Sequence, residues 1–249
     1  MKQFGLIGFP LGHSYSKRHF TNKFESEGLL GYSYHNFEIA SVSCLKELIL
    51  NNPDLQGLNV TIPHKQAVIP FLDEIDTIAL EVGAVNTIKI TRLVDQFTLK
   101  GFNTDVIGFV ESLKKWNFDQ PVKALVFGSG GSSLAVKYAL KLLNIEFLAV
   151  SRRSSEGYIS YDNITSDLAL NHSLWINCTP VGMFPGVDGQ LPLPYSCLTD
   201  SHYLFDLIYN PAVSGFLRMG VNAGAQTMNG SVMLYEQAEA SWRIWQEKL

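Results

Sequence analysis

The sequence has little of what marks a disulfide-bonded, metal-binding, membrane or nucleic-acid protein. Its 249 residues include three cysteines, Cys44, Cys178 and Cys197, an odd number with no C-x-x-C pair. That usage fits a reducing compartment and argues against disulfides and a zinc site. The six histidines never fall at metal-ligand spacing, so no metal is expected. Lys/Arg runs are absent, and a formal net charge of -4 offers no basic face to nucleic acid. An anionic substrate must therefore meet local positive groups. No stretch is long and apolar enough for a bilayer, and MKQFGLIGFP is too short, and too broken by Gly8 and Pro10, for a signal peptide. The expectation is a cytoplasmic protein with neither membrane nor nucleic-acid partner.

What is present is ordinary globular material: 46% hydrophobic, 17% charged and 12% aromatic, enough chain for two modest domains. Strand-like and helix-like runs alternate almost throughout. FGLIGF (4–9), YSYHNFEI (32–39) and LNVTI (58–62) read as strands, with helices near 17–28 and 41–50 between them. Helical turns are expected through 69 and over 73–79, then a hairpin of VNTIKI and QFTLKGF, then a helix opened by Asn103-Thr104-Asp105. A second series starts at 122–127 and passes through a glycine turn into a helix near 132–143. Strands at 145–150, 173–178, 203–209 and 221–227 follow, with helices near 163–170, from Pro211 and from 230 to the end. This alternation predicts an α/β fold built on parallel sheet with helices on both faces. The restart at 121 places a domain boundary near 103–120.

Two segments carry chemistry. In GLNVTIPHKQ (57–66), Leu58, Val60 and Ile62 alternate with Asn59 and Thr61, and Pro63 ends the ladder just before His64 and Lys65. A strand thus delivers an Asn, a Thr and a Lys to one spot. Read alone, Lys65 is an exposed helix-start lysine. In the second segment, Gly128-Ser129-Gly130-Gly131-Ser132-Ser133 sits between an apolar strand and a helix, where glycines let backbone N–H groups approach a pyrophosphate. Ser133 departs from the G-x-G-x-x-G pattern. The next strand ends in Ser151-Arg152-Arg153, where an NAD site usually has an acid and an arginine accommodates a 2′-phosphate. Turn and arginines together point to NADP over a merely solvated basic turn.

Over nearly its whole length the chain resembles the shikimate dehydrogenase family. GFPLGHSYSKRHF is similar to that family's G-x-P-x-x-H-S-x-S segment and NVTIPHK to its N-V-T-x-P-x-K. GAVNT (83–87), NTD (103–105), GSGGSS, NCTPVGM (177–183), DLIY (206–209) and NGSVMLYEQA follow in family order. Lys17 replaces a usual proline, Ser151 a usual asparagine, and Val232 stands where glycine is frequent.

The resemblance implies reversible NADP-linked reduction of 3-dehydroshikimate to shikimate, with Lys65 and Asp105 as the catalytic pair. Ser14 and Ser16 would hold the substrate carboxylate. Thr61, Asn86, Asp105 and Gln237 would hold its hydroxyls, Tyr209 would close one side, and Asn59 would support the local backbone. Gly128, Ser129, Gly130, Gly131, Ser132, Ser151, Arg152, Arg153, Thr179, Leu207 and Gly230 would bind cofactor. The implied fold has an N-terminal α/β substrate domain, residues 1–104 with the last helix 230–249 packing back on it, and a Rossmann-type NADP-binding domain over 105–229. Three alternatives stay open: a quinate/shikimate dehydrogenase with broader substrate or NAD use, a catalytically silent NADP-binding sensor, and, for assembly, a homodimer.

Overall fold

The computed structural model describes residues 1–12, 15–94, 96–118 and 120–247. It divides into two units, Met1–Asp105 with Gln237–Leu249, and Val106–Glu236. In the first, β1 (Lys2–Gly8), α1 (Tyr15–Ser26), β2 (Tyr32–Glu38), α2 (Leu45–Asn51), β3 (Leu55–Val60) and α3 (His64–Ala67) come in sequence. They are followed by β4 (Glu74–Ile75), α4 (Thr77–Val82), β5 (Thr87–Arg92) and β6 (Phe97–Phe102), after which α5 (Asp105–Leu113) begins. The sheet order is β2-β1-β3-β5-β6-β4. β1 pairs in parallel with β2 and β3, whereas β3–β5 and the β5–β6 hairpin are antiparallel.

The two faces of this sheet are covered differently, as the period of two dictates. Ile7, Leu58, Val60 and Ile88 join α2's Leu45 and Ile49 in an aliphatic core. Phe4 and Leu6, pointing the other way, meet Phe20 and Phe24 of α1 and Trp245 of the C-terminal helix. Gly57 makes that second layer fit: a Cβ there would collide with the Trp245 indole, which stacks on Phe4 at 4.8 Å and donates to Ile88 O at 3.0 Å.

Residues 73–79, expected to be helical throughout, hold the short strand β4 before α4 begins. Asp76 N–H donates to Gly101 O and Asp73 accepts from Leu99 N–H, so β6 draws this segment into the sheet. Asp76 then caps α4 through the Ile78 N–H.

In the second unit β7 (Ala124–Phe127), α6 (Gly131–Leu142), β8 (Phe147–Ser151), β9 (Ile159–Ser160), α7 (Ser166–Asn171) and β10 (Leu174–Asn177) are followed by β11 (Tyr203–Asp206), α8 (Gly215–Asn222) and β12 (Gln226–Met228). α9 (Ser231–Gln246) starts here, and the division between units falls within it. All pairings are parallel, in the order β12-β11-β10-β7-β8-β9. β7 and β10 are buried at every residue, as strands covered on both faces must be. The helix expected from Pro211 begins only after Ser214, whose hydroxyl accepts the Leu217 N–H and caps α8. The strand expected over 203–209 ends at Asp206 because that side chain takes the Ile208 N–H and turns the chain. Among the described residues no helix is long and apolar enough to cross a membrane.

Gly57→Ala should destabilise the protein by about 1–3 kcal/mol, the usual cost of overpacking a filled layer. A lowered urea midpoint checks this. An unchanged midpoint would mean that Trp245 does not depend on the missing side chain.

Candidate active site

In the first unit, β3 ends at Val60 and the Thr61–His64 turn leads directly into the single turn of α3, so Lys65 stands just beyond the strand's C-terminal edge. Its carbonyl accepts the Val85 N–H at 2.7 Å, which ties this turn to the strand approach at 84–87. Asp105 opens α5, where the helix macrodipole favours a carboxylate. Lys65 Nζ lies 2.6 Å from Asp105 Oδ2, and both side chains are largely buried.

Asn86 fixes the other carboxylate oxygen. The Thr104 backbone N–H, which can only donate, reaches Asn86 Oδ1 at 2.7 Å. That contact sets the amide's orientation and turns Nδ2 toward Asp105 Oδ1 at 2.9 Å, with Thr104 Oγ1 at 3.0 Å and Gln237 Oε1 at 3.4 Å beside it. Of the residues named for catalysis and substrate, Lys65, Asp105, Asn86 and Gln237 are thus brought into one cluster. Thr61 starts the turn that carries Lys65, its N–H bonded to Ile7 O. Ser16 is buried in the first turn of α1. Ser14 lies outside the described residues. Tyr209 belongs to the second unit, in the segment after β11.

Behind the cluster runs a buried network that sequence reasoning missed. Ser241 Oγ donates to Gln237 O and lies within 2.8 Å of Thr87 Oγ1, 3.0 Å of Asn59 Nδ2 and 3.2 Å of Thr104 Oγ1. Asn59 Oδ1 accepts the Tyr34 hydroxyl at 2.7 Å, and Tyr34 shares a side-chain hydrogen bond with Ser16. Burial pushes the Tyr34 hydroxyl far up, so it stays a neutral donor. A continuous polar path therefore runs from Ser16 through Tyr34, Asn59, Ser241 and Thr104 to Asn86, Asp105 and Lys65. One signal was available: Ser241 lies four residues beyond Gln237, on the same helix face.

In the second unit, the strand order reverses between β10 and β7, which in such sheets marks the ligand crevice at the strands' C-terminal ends. Gly128, just past β7, has φ +116, and a Cβ there would press on Cys178 and Thr179 at 3.2 Å, so both dihedral and space require glycine. Gly130 is the N-cap of α6, supplies no side-chain cap and faces open space. The twelve-residue helix therefore starts without a side-chain cap, a setting that suits a dinucleotide's pyrophosphate. Ser133 closes the turn through Oγ to Gly128 O at 2.6 Å, a contact glycine could not make.

Arg152 and Arg153 are exposed just past β8, where Ser151 Oγ donates to Arg153 O at 2.5 Å. The loop beyond them is braced by reciprocal Ser155–Tyr158 backbone bonds and by Lys137 of α6, whose ammonium lies 4.4 Å from the Tyr158 ring centroid. On the other side of the reversal, Leu207 N–H donates to Asn177 O and Gly230 N–H to Ile208 O. A Cβ on Gly230 would collide with the Leu207 carbonyl, so that close approach also requires glycine. The residues present fit a dinucleotide with a phosphorylated ribose.

The family model described as the shikimate dehydrogenase substrate binding domain matches residues 6–88. A relative from Methanosphaera stadtmanae, named shikimate dehydrogenase (NADP(+)), is 33% identical, with 98% of this chain and 91% of the relative covered. A protein of the same name from Halothermothrix orenii is 36% identical, with coverages of 97% and 89%. The structure of a shikimate 5-dehydrogenase from Thermus thermophilus, in complex with NADP(H) and shikimate, is similar with TM-score 0.85 and 30% identity, covering all of this chain and 95% of that one.

Tyr34→Phe removes one buried donor and leaves the Asn59 carbonyl without it. The expected cost is about 1–3 kcal/mol, the penalty for an unsatisfied buried polar group. Denaturant unfolding of the variant checks it, and stability equal to wild type would show that this link of the network contributes nothing.

Proposed function

The chain belongs to the shikimate dehydrogenase family, and we propose that it interconverts 3-dehydroshikimate and shikimate with NADP(H), Lys65 and Asp105 acting on the oxygen that changes between carbonyl and hydroxyl. The observation that carries the residue assignment is the Lys65–Asp105 contact at 2.6 Å, locked by Asn86.

Reducing a ketone leaves negative charge growing on its oxygen, and a positioned cation and donor there lowers the barrier. Lys65 Nζ supplies the charge and the hydrogen bond at that oxygen. Asp105 keeps the lysine in place through the 2.6 Å contact. Asn86, Gln237 and Thr61 hold ring hydroxyls, and Ser14 and Ser16 hold the carboxylate. Polar side chains suit a substrate with many hydroxyls and little apolar surface.

When bound, NADPH supplies the hydride. The residues that would hold it are the Gly128–Ser132 turn at the pyrophosphate, Ser151, Arg152 and Arg153 at the 2′-phosphate, and Thr179, Leu207 and Gly230 toward the other end. The first unit with α9's C-terminal part is the substrate domain in this reading, and the second the cofactor domain. Cysteine usage supports a cytoplasmic location.

Absorbance assays with 3-dehydroshikimate and 3-dehydroquinate, each with NADPH and NADH, test the function. Only the first ketone with NADPH should be turned over efficiently, and preference for either other partner would overturn the reading.

Lys65→Ala should lower kcat by about 10²–10⁴-fold while weakening shikimate binding much less, as expected for a positioned acid–base group. A variant keeping more than about a tenth of wild-type kcat would remove Lys65 from the chemistry.

Arg152→Ala should weaken NADPH strongly and NADH little. One hydrogen bond to a charged group is worth about 1.5–3 kcal/mol, so the wild-type preference of roughly 10- to 150-fold should collapse and the two kcat/KM values converge. Equal loss with both cofactors would mean that the arginine does not read the phosphate.

A further inference from the structure

The C-terminal ends of β10 and β11 hold a buried acid that the reaction above does not use. Asn177 and Asp206 are the last residues of these strands, paired in register, both with no exposed surface. Three donors converge on the Asp206 carboxylate: Ser214 Oγ at 2.5 Å on Oδ2, and Ile208 N–H at 3.0 Å and Asn177 Nδ2 at 3.1 Å on Oδ1. Each donor anchors a further piece of chain. Asn177 Oδ1 accepts the Thr179 N–H and hydroxyl at 2.9 and 2.7 Å. Ile208 O accepts the Gly230 N–H at 3.1 Å, and Ser214 caps α8. Thr179, Leu207 and Gly230 thus hang on one carboxylate. A sheet with this order takes one mononucleotide on each half. Arg152 marks the half that takes the adenosine, so Asp206 stands on the nicotinamide half.

We propose that Asp206 is the positioning residue of the nicotinamide-side wall, an inference that rests on the NADP reading above. Accepting three hydrogen bonds and donating none is the ionised state's arrangement. Protonation would put a hydrogen on Oδ2 facing the Ser214 hydroxyl, and one of the two hydrogens would lose its acceptor. The wall would then loosen at the Ser214 anchor, which also holds the cap of α8. Burial pushes the Asp206 carboxyl up to about 6 against the pull of its three hydrogen bonds, so this change falls just below neutrality. The titratable groups facing it are Cys178, beyond β10, and Tyr195, both pushed up by burial and therefore neutral; Lys137 acts on Cys178 from α6.

The test is calorimetric binding of NADP+ and NAD+, without substrate, from about pH 8 down to about pH 5, to wild type, Asp206→Asn and Arg152→Ala. Asparagine keeps the size, accepts from Ile208 and Asn177, and presents an N–H to Ser214 as the protonated acid does. Wild-type affinity for both dinucleotides should fall roughly 10-fold through this range. NAD+ has no 2′-phosphate to titrate, so its decline reports the protein.

Asp206→Asn should bind at the low level at every pH, with a flat NAD+ profile. It should also melt no lower than wild type at pH about 8, because a raised native pKa means that the ionised acid costs the folded state stability there. Wild-type-like binding by Asp206→Asn overturns the proposal, as does a flat wild-type NAD+ profile, which decides the matter even if the variant fails to fold. A lower melting temperature alongside the weaker binding also overturns it, as a merely structural role. If wild type binds neither dinucleotide, the NADP reading falls as well. If Arg152→Ala weakens NADP+ and Asp206→Asn does not, only the role of Asp206 falls.

Discussion

A lysine and a carboxylate taken out of water together lose more hydration than their attraction returns, unless the remaining lone pairs and hydrogens also find partners. The Lys65–Asp105 pair obeys that constraint, and much of the first unit is arranged around it. Asp105 Oδ2 has the lysine and Oδ1 has Asn86. Asn86 in turn must have its own carbonyl occupied, and the Thr104 N–H next to Asp105 does this. The demand then passes to Thr87, Ser241 and Asn59, and ends at Tyr34 and Ser16. Segments far apart in the chain are bound by one requirement for polar satisfaction, and each added member makes the geometry of the pair harder to deform.

The second unit solves the opposite problem. Where the first unit fills the polar positions around its ion pair, α6 begins at a glycine with no side chain to cap it. Its buried acid shows the contrast. Asp105 faces a cation at the start of a helix. Asp206 has only neutral donors, and burial outweighs them. Two aspartates of similar burial therefore differ in what their neighbours ask of them: one holds a charge in place, and the other holds loops.

The elements that follow from period and punctuation were legible in the sequence. The alternating order of the series after residue 121, the hairpin before it and the glycine turn stand as pattern placed them, because each is set by local chemistry, whereas the strand expected over 221–227 is helix to Asn222 and strand only over Gln226–Met228. Misses occurred where a partner distant in sequence decides. Residues 73–76 read as helix alone, but β6 offers an edge whose donors and acceptors need pairing. Proline at 211 suggested a helix start, but the Ser214 hydroxyl, held by Asp206, fixes it later. Tyr34 and Thr87 could not be read as site-supporting, since a lone hydroxyl in an apolar strand looks the same whether or not it bonds to anything, and only the four-residue spacing from Gln237 pointed to Ser241. The family motifs pointed to Lys65, Asp105 and Asn86 but not to what keeps them there.

Helix α9 shows how far support and site have merged. Gln237, Ser241 and Trp245 are spaced by four residues, about 40° apart around the axis per step, so they share one broad face. The first touches Asn86, the second closes the network, and the third fills the space left by Gly57 and bonds to Ile88. A slip of one residue would turn this face by about 100° and remove all three functions together. The tryptophan therefore does more than fill a core. By fixing the helix's rotation on β3 it fixes where the glutamine and serine fall, and the bulk of an indole against a bare glycine sets the aim of polar groups two turns away.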